Sequence, residues 1–203
     1  MKGKVKRRVI AWVLSFALVT GTVLGGPGLF MKAHAADAGV LYIIDSIGGT
    51  PESVTEDCTD SAGGWSYDAG TATLTLDGFQ GEYIEANGDI NIVLKGKNKI
   101  TISAESTEGI KSTGKVTIDD TISPVQDCLD IYCNDGTESV SMIYTGGFGA
   151  DYATYIVGGT VNLVEENTRR RYVTGISRWA YVENDASLNI NLSADGGRNG
   201  AAA

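Results

Sequence analysis

From residue 73 onward the chain is punctuated by short runs in which apolar and small polar residues alternate. The clearest are Thr73-Leu74-Thr75-Leu76, Ile90-Asn91-Ile92-Val93-Leu94, Ile100-Thr101-Ile102, Val116-Thr117-Ile118, Val161-Asn162-Leu163 and Leu188-Asn189-Ile190-Asn191-Leu192. Alternation with a period of two places apolar side chains on one face of an extended segment and polar ones on the other, which is strand periodicity. Turn residues precede the runs: Gly88-Asp89, Gly114-Lys115, Gly158-Gly159-Thr160, Asn184 to Ser187 and, more weakly, Gly136 to Ser139 ahead of Val140. Taking 90, 116, 140, 161 and 188 as equivalent starts gives spacings of 26, 24, 21 and 27. A turn followed by a short strand, returning at that interval, is a repeat signature. It predicts an all-β fold, a short parallel β-helix with inward Val, Ile and Leu ladders and with Gly and Asn at the corners. The competing reading is an antiparallel β-sandwich, whose turn signals recur about every 8–12 residues.

The first 35 residues follow a different logic. Lys2, Lys4, Lys6, Arg7 and Arg8 form a cationic start, Val9–Leu24 is mostly apolar, and Ala33-His34-Ala35 is a small-x-small site. That order is a secretory signal peptide with cleavage after Ala35. The alternative, an uncleaved anchor, fits less well because the apolar run is short of the roughly 20 residues a spanning helix needs. The expected organisation is a signal peptide at 1–35, an N-terminal linker and cap at 36–63, the β-helix at 64–195 and a disordered tail at 196–203.

Removing the leader changes the chemistry available. Of 16 Lys+Arg and 25 Asp+Glu, six cations and no acids lie in the first 35 residues, as does the one histidine, His34. The remaining 168 residues carry 10 cations against 25 acids, a formal charge of −15. Without imidazole there is no Ser-His-Asp triad, Cys-His dyad or His-ligated zinc. Nucleic acid is not an expected partner, because phosphate binding needs a concentrated cationic face. No membrane association is expected after cleavage. Cys58, Cys128 and Cys133 make an odd count; either Cys128 and Cys133 bridge or all three stay unpaired.

Residues 64–118 resemble a repeat family of secreted and surface proteins of Gram-positive gut and soil bacteria, the carbohydrate-binding-domain proteins of right-handed β-helix type. The resemblance rests on Trp65 and Tyr67, Leu74 and Leu76, Gly88-Asp89, Leu94-Lys95-Gly96-Lys97-Asn98-Lys99-Ile100, and Gly109-Ile110 with Gly114. It implies extracellular polysaccharide binding and, in at least one group of the family, calcium and acidic sugars. Residues 125–155 depart from the pattern, and the chain has few coils, as in a short or truncated member.

Three kinds of chemistry are then weighed. The candidate calcium ligands are Asp119, Asp120, Asp127 and Asp130, since calcium takes six to eight oxygens from carboxylates and carbonyls; the competing reading is an acidic solvated surface. Sugar rings stack on exposed aromatics, and aromatic residues gather after residue 130, among them Tyr132, Tyr155 and Tyr181. The selected carbohydrate contacts are Tyr144, Phe148, Tyr152, Tyr172 and Trp179, with Arg170, from the run Arg169–Arg171, as a partner for a uronic acid. Trp65 and Tyr67 are read as closing one end of the stack. Carboxylate pairs could support glycoside hydrolysis, yet no spacing selects one.

The expectation is a secreted, non-catalytic polysaccharide-binding protein, extracellular or cell-surface associated. Its glycan partner includes acidic sugars, calcium is its one candidate cofactor, and it is a monomer or weak dimer. The alternative is a structural or adhesin-type surface segment; a polysaccharide lyase or hydrolase ranks third.

Overall fold

The structure, a computed structural model, describes residues 40–103, 106–120, 127–134, 139–165, 172–183 and 186–192. Over those residues the chain is all-β: eighteen strands, one 3-10 turn at Ala150–Tyr152 and no α-helix. Residues 1–39 and 193–203 and Arg169–Arg171 lie outside them.

The strands form three sheets, none of which closes on itself. In sheet A, β1 (Leu41–Ile44), β2 (Glu52–Val54), β7 (Tyr83–Ala86), β10 (Glu108–Ser112), β13 (Val140–Thr145) and β16 (Val173–Ile176) lie in the order β16-β13-β10-β7-β1-β2. Sheet B holds β3 (Cys58–Asp60), β4 (Trp65–Asp68), β5 (Thr73–Asp77), β8 (Ile90–Lys95), β11 (Val116–Asp120), β14 (Thr154–Ile156) and β17 (Ala180–Val182), ordered β17-β14-β11-β8-β5-β4-β3. Sheet C holds β6 (Gln80–Gly81), β9 (Lys97–Ile102), β12 (Cys128–Cys133), β15 (Thr160–Glu165) and β18 (Ser187–Asn191), ordered β18-β15-β12-β9-β6. From β7 onward the chain visits A, B and C in turn, four times over, and every pairing between β5 and β18 is parallel.

Register explains why such short strands suffice. Ile84, Ile110, Ile143 and Ile176 are paired in a row across sheet A. Leu74, Ile92, Ile118, Ile156 and Val182 form the row in sheet B. Ile100, Ile131, Leu163 and Ile190 form it in sheet C. Through the third turn these side chains are fully or almost fully buried and belong to one core cluster. Each strand contributes two or three inward side chains, and the stacking of identical faces supplies the rest of the apolar contact.

Corners are short where they can be. A single residue, Gly96 at φ 63°, separates β8 from β9, a conformation that L side chains adopt at a cost. Beside it Asn98, 1% exposed, holds the corner together. Its Oδ1 accepts from Phe79 N–H at 3.0 Å, and its Nδ2 donates to the carbonyls of Lys95 and Cys128 at 3.2 Å. The amide thereby satisfies backbone groups of three consecutive passes of the chain.

The equal-phase repeat expected from the sequence is only partly right. Ile90 and Val116 are partners in sheet B, and Val161 and Leu188 are partners in sheet C. Val140 instead opens a strand of sheet A, opposite Val173. The interval between paired residues in sheet B runs from 18 positions (Leu74 to Ile92) through 26 (Ile92 to Ile118) to 38 (Ile118 to Ile156), the last because the connections after β11 and β13 are long. A period of 21–27 therefore compared different faces of the fold.

One edge of the assembly is made by antiparallel strands. β1 and β2 extend sheet A beyond β7, and β4 and β3 extend sheet B beyond β5. Trp65 and Tyr67 are buried in β4, 2% and 5% exposed, and Trp65 Nε1 donates to Asp45 Oδ2 at 3.4 Å. In register, Trp65 stands opposite Leu76 and Tyr67 opposite Leu74, so the two aromatics extend the inner face of β5. Sheet edges are a hazard, and a three-residue outermost strand limits it.

Candidate functional site

Alternation leaves a second set of rows on the outer faces. On sheet B one outer row runs Asp68, Thr73, Asn91, Thr117, Tyr155, Tyr181, and a parallel one runs Thr59, Ser66, Thr75, Val93, Asp119. The first ends in an aromatic platform. The rings of Tyr155 and Tyr181 stack with centroids 4.9 Å apart and an interplanar angle of 15°. Tyr155 Oη donates to the Ala150 carbonyl at 3.3 Å, and Lys115 Nζ sits 5.8 Å from the Tyr155 ring. Partial burial, and then the nearby Tyr181, Asp151 and Glu183, push the Tyr155 hydroxyl above its ordinary pKa, so it is a neutral donor at physiological pH.

The connections from sheet A to sheet B flank this platform. Phe148, 82% exposed, lies under the Arg178 guanidinium at 4.6 Å, and Trp179 next to it is 58% exposed. The connections are tied together by main-chain and side-chain bonds: Thr154 N–H to the Trp179 carbonyl at 2.9 Å, and Thr145 Oγ1 to the Tyr152 carbonyl at 2.5 Å. Tyr152 packs its ring over Gly147, where any Cβ would collide with it.

Of the selected carbohydrate contacts, Phe148, Tyr152 and Trp179 thus share the two A-to-B connections. Tyr144 stands on the outer face of β13, opposite Lys111. Tyr172 precedes β16, at the end of that strand remote from Ser177 and Trp179. Arg170 lies outside the described residues. The stacked pair Tyr155 and Tyr181 was in the sequence pool but not selected; they are 26 positions apart, and only the parallel register makes them neighbours.

The four aspartates proposed for calcium are divided. Asp119 Oδ1 accepts from Asp120 N–H at 2.8 Å, and Asp127 Oδ1 accepts from Gly96 N–H at 2.6 Å. Asp119 and Asp120 both lie beside Gly158, where any Cβ would collide with their carboxylates. Asp130 is on the outer face of sheet C, where its Oδ1 accepts from Asn162 Nδ2 at 2.6 Å and Asn162 Oδ1 accepts in turn from Asn189 Nδ2 at 2.8 Å. Among the described residues, no three carboxylates, thiols or imidazoles gather closely enough to hold a metal. Residues 121–126, between two of the four aspartates, lie outside the description.

The cysteines are unbridged. Cys128 and Cys133 begin and end β12, about 16 Å apart along an extended strand, beyond the reach of a disulfide. Burial, and then Asp130, push the Cys128 thiol pKa up, which keeps it protonated and unreactive.

On the outer face of β3, β4 and β5 lies a feature that sequence reasoning missed, a cavity of about 420 Å³ lined by Asp57, Thr59, Ser66, Asp68, Thr71, Thr73 and Thr75 together with Cys58 and Tyr67. Its hydroxyls are partly pre-oriented, with Thr71 Oγ1 donating to Thr73 Oγ1 at 2.9 Å. A smaller cavity of about 160 Å³ shares Thr59, Ser66 and Thr75 and reaches Asp77 and Lys95. The signal for it was present as the Thr-x-Thr of β5, but its lining also needs the antiparallel β3 and β4. Among the described residues no helix is long and apolar enough to cross a membrane. Comparison of the chain with family models, curated proteins and solved structures found no match.

Proposed function

We propose that the protein is a secreted, non-catalytic polysaccharide-binding module, and that its three sheets are the faces of a short right-handed parallel β-helix. The observation that carries the binding assignment is the stacked Tyr155–Tyr181 pair on the outer face of sheet B, flanked by exposed Trp179 and Phe148. Flat aromatic surface accepts the C–H face of a pyranose, and neighbouring Thr, Asn and Asp side chains accept and donate to hydroxyls. The coil handedness follows from the strong preference of parallel crossovers. Export follows from the leader. No catalytic residue is assigned, and the reading is drawn without calcium.

The test is retention of the purified chain on insoluble cellulose, xylan and pectin, and on a glycan array. Binding that Trp179→Ala and Tyr181→Ala weaken supports the reading; no retention on any glycan removes it. A structural role in a surface protein is the second reading. It is favoured by Val182 and Ile190, which lie in the inner rows yet are 47% and 40% exposed. Self-association in light scattering without glycan binding would select it.

A further inference from the structure

We infer that the ligand is a linear, uncharged glycan that lies across the strands of sheet B, seated at one end in the hydroxyl-lined cavity of β3–β5 and at the other on Tyr155 and Tyr181. The inference rests on the proposed binding of polysaccharide and adds where the chain runs, how long it is and which charge it carries.

Direction comes from register. The outer row that enters the cavity through Asp68 and Thr73 is the same row that ends in Tyr155 and Tyr181. Between them stand Asn91 and Thr117, short polar side chains that leave the path open. Asn91 Nδ2 is anchored to the Thr71 carbonyl at 3.2 Å, so its Oδ1 is presented outward. Nothing comparable joins the two ends along a single strand.

Length follows from strand spacing. Neighbouring strands lie about 4.8 Å apart, so the five steps from β4 to β17 cover about 24 Å. A pyranose ring in an extended chain advances by a length close to one such step. About five or six sugar rings therefore reach from the cavity to Tyr181, one over each strand.

Charge follows from the lining. Asp57 and Asp68 border the cavity, Asp119 stands in the neighbouring row, and Asp151 and Glu183 lie near Tyr155. Against them stand Lys115 and Arg178 at the platform and Lys95 in the smaller cavity, fewer cations than carboxylates. A polyuronate laid along this face would meet carboxylates at both ends, and like charges at close range are unfavourable. Carboxylates beside hydroxyls suit a neutral sugar, whose O–H groups donate to them. The acidic partner expected from the sequence rested on the family resemblance and on the Arg169–Arg171 run, which lies outside the described residues.

The experiment is calorimetric titration of the full chain, leader removed, with cello-oligosaccharides and xylo-oligosaccharides of two to eight residues, and with oligogalacturonides of the same lengths. Affinity for a neutral series is expected to rise with length and level off at about six residues, with galacturonides bound at least tenfold more weakly. Thr59→Ala/Thr75→Ala, at the cavity, should weaken the hexasaccharide severalfold and leave the disaccharide unchanged, whereas Tyr181→Ala should weaken both. Unaltered circular dichroism and melting midpoint will show that the variants are folded. A plateau at two or three residues, tighter binding of galacturonides, or a hexasaccharide indifferent to the cavity variant overturns the inference and leaves sugar binding at the tyrosines standing. Failure of every oligosaccharide, together with failure on insoluble glycans, overturns both.

Discussion

Tyr155 and Tyr181 lie one above the other on adjacent parallel strands, their rings 4.9 Å apart and within 15° of parallel. Register alone makes them a surface, since each is a single outward residue of a three-residue strand. Removing one ring halves the platform without opening the core. Tyr181→Ala is expected to weaken glycan binding about tenfold, roughly 1.4 kcal/mol. Its melting midpoint should stay within a degree or two of the parent, read by calorimetry.

Position along the stack should decide the cost of trimming an inner-row side chain. Ile131 is fully buried between Ile100 and Leu163, while Ile190, in the same row, is 40% exposed. Ile131→Ala is expected to cost about 2–5 kcal/mol, through lost burial and the cavity left behind. For Ile190→Ala the cost should be below about 1 kcal/mol. Urea titration of both variants checks the ratio, and equal losses would contradict the buried status of the row.

Asn98 is a buried amide that serves backbone groups rather than filling space. Asn98→Ala would remove the acceptor of Phe79 N–H and the side-chain donor to the Lys95 and Cys128 carbonyls. An unmade buried hydrogen bond costs about 1–3 kcal/mol, so a loss of at least that size is expected in chemical denaturation. Asn98→Asp should also destabilise at neutral pH, because a carboxylate keeps the acceptor but cannot donate.

Glu82 gives stability a pH dependence. It is 5% exposed, and burial alone would raise its pKa; the Ser103 hydroxyl, the Gly48 N–H and the Ser106 hydroxyl outweigh that and bring it below the ordinary 4.5. Gly48 N–H and Ser106 Oγ both donate at 2.9 Å. A depressed acid stabilises the fold above its unfolded pKa, and that contribution is lost as pH falls through the folded value. Stability should therefore hold from neutral pH down to about 4.5 and fall below it. Glu82→Gln is expected to lose about 1–3 kcal/mol at pH 7 and to flatten the acid limb, as measured by urea midpoints at pH 7 and pH 3.5.

Metal removal should be silent if the fold stands without calcium. Addition of EDTA to the purified chain is expected to leave the melting midpoint unchanged, because among the described residues no three carboxylates, thiols or imidazoles gather to hold a metal. A drop of several degrees, restored by calcium, would show that an ion contributes to folding.

The linear chain determined the strands and the sides they bury. The six alternating runs are β5, β8, β9, β11, β15 and β18, and their apolar residues through β15, Val93 excepted, face the core, because a period of two is written in neighbouring residues. It also determined the absence of imidazole after residue 35. What tertiary structure decided was which turns of chain stand beside one another. Loops of unequal length shift the repeat from 26 to 38 positions, so Val140 belongs to a different sheet from Ile90 and Val116. For the same reason Tyr155 meets Tyr181, Asp130 meets Asn162 rather than Asp119, and Cys128 and Cys133 point away from any bridge. Local periodicity fixes the face on which a side chain lies; pairing between strands a whole turn apart, set by loop length and by core packing, fixes its neighbours.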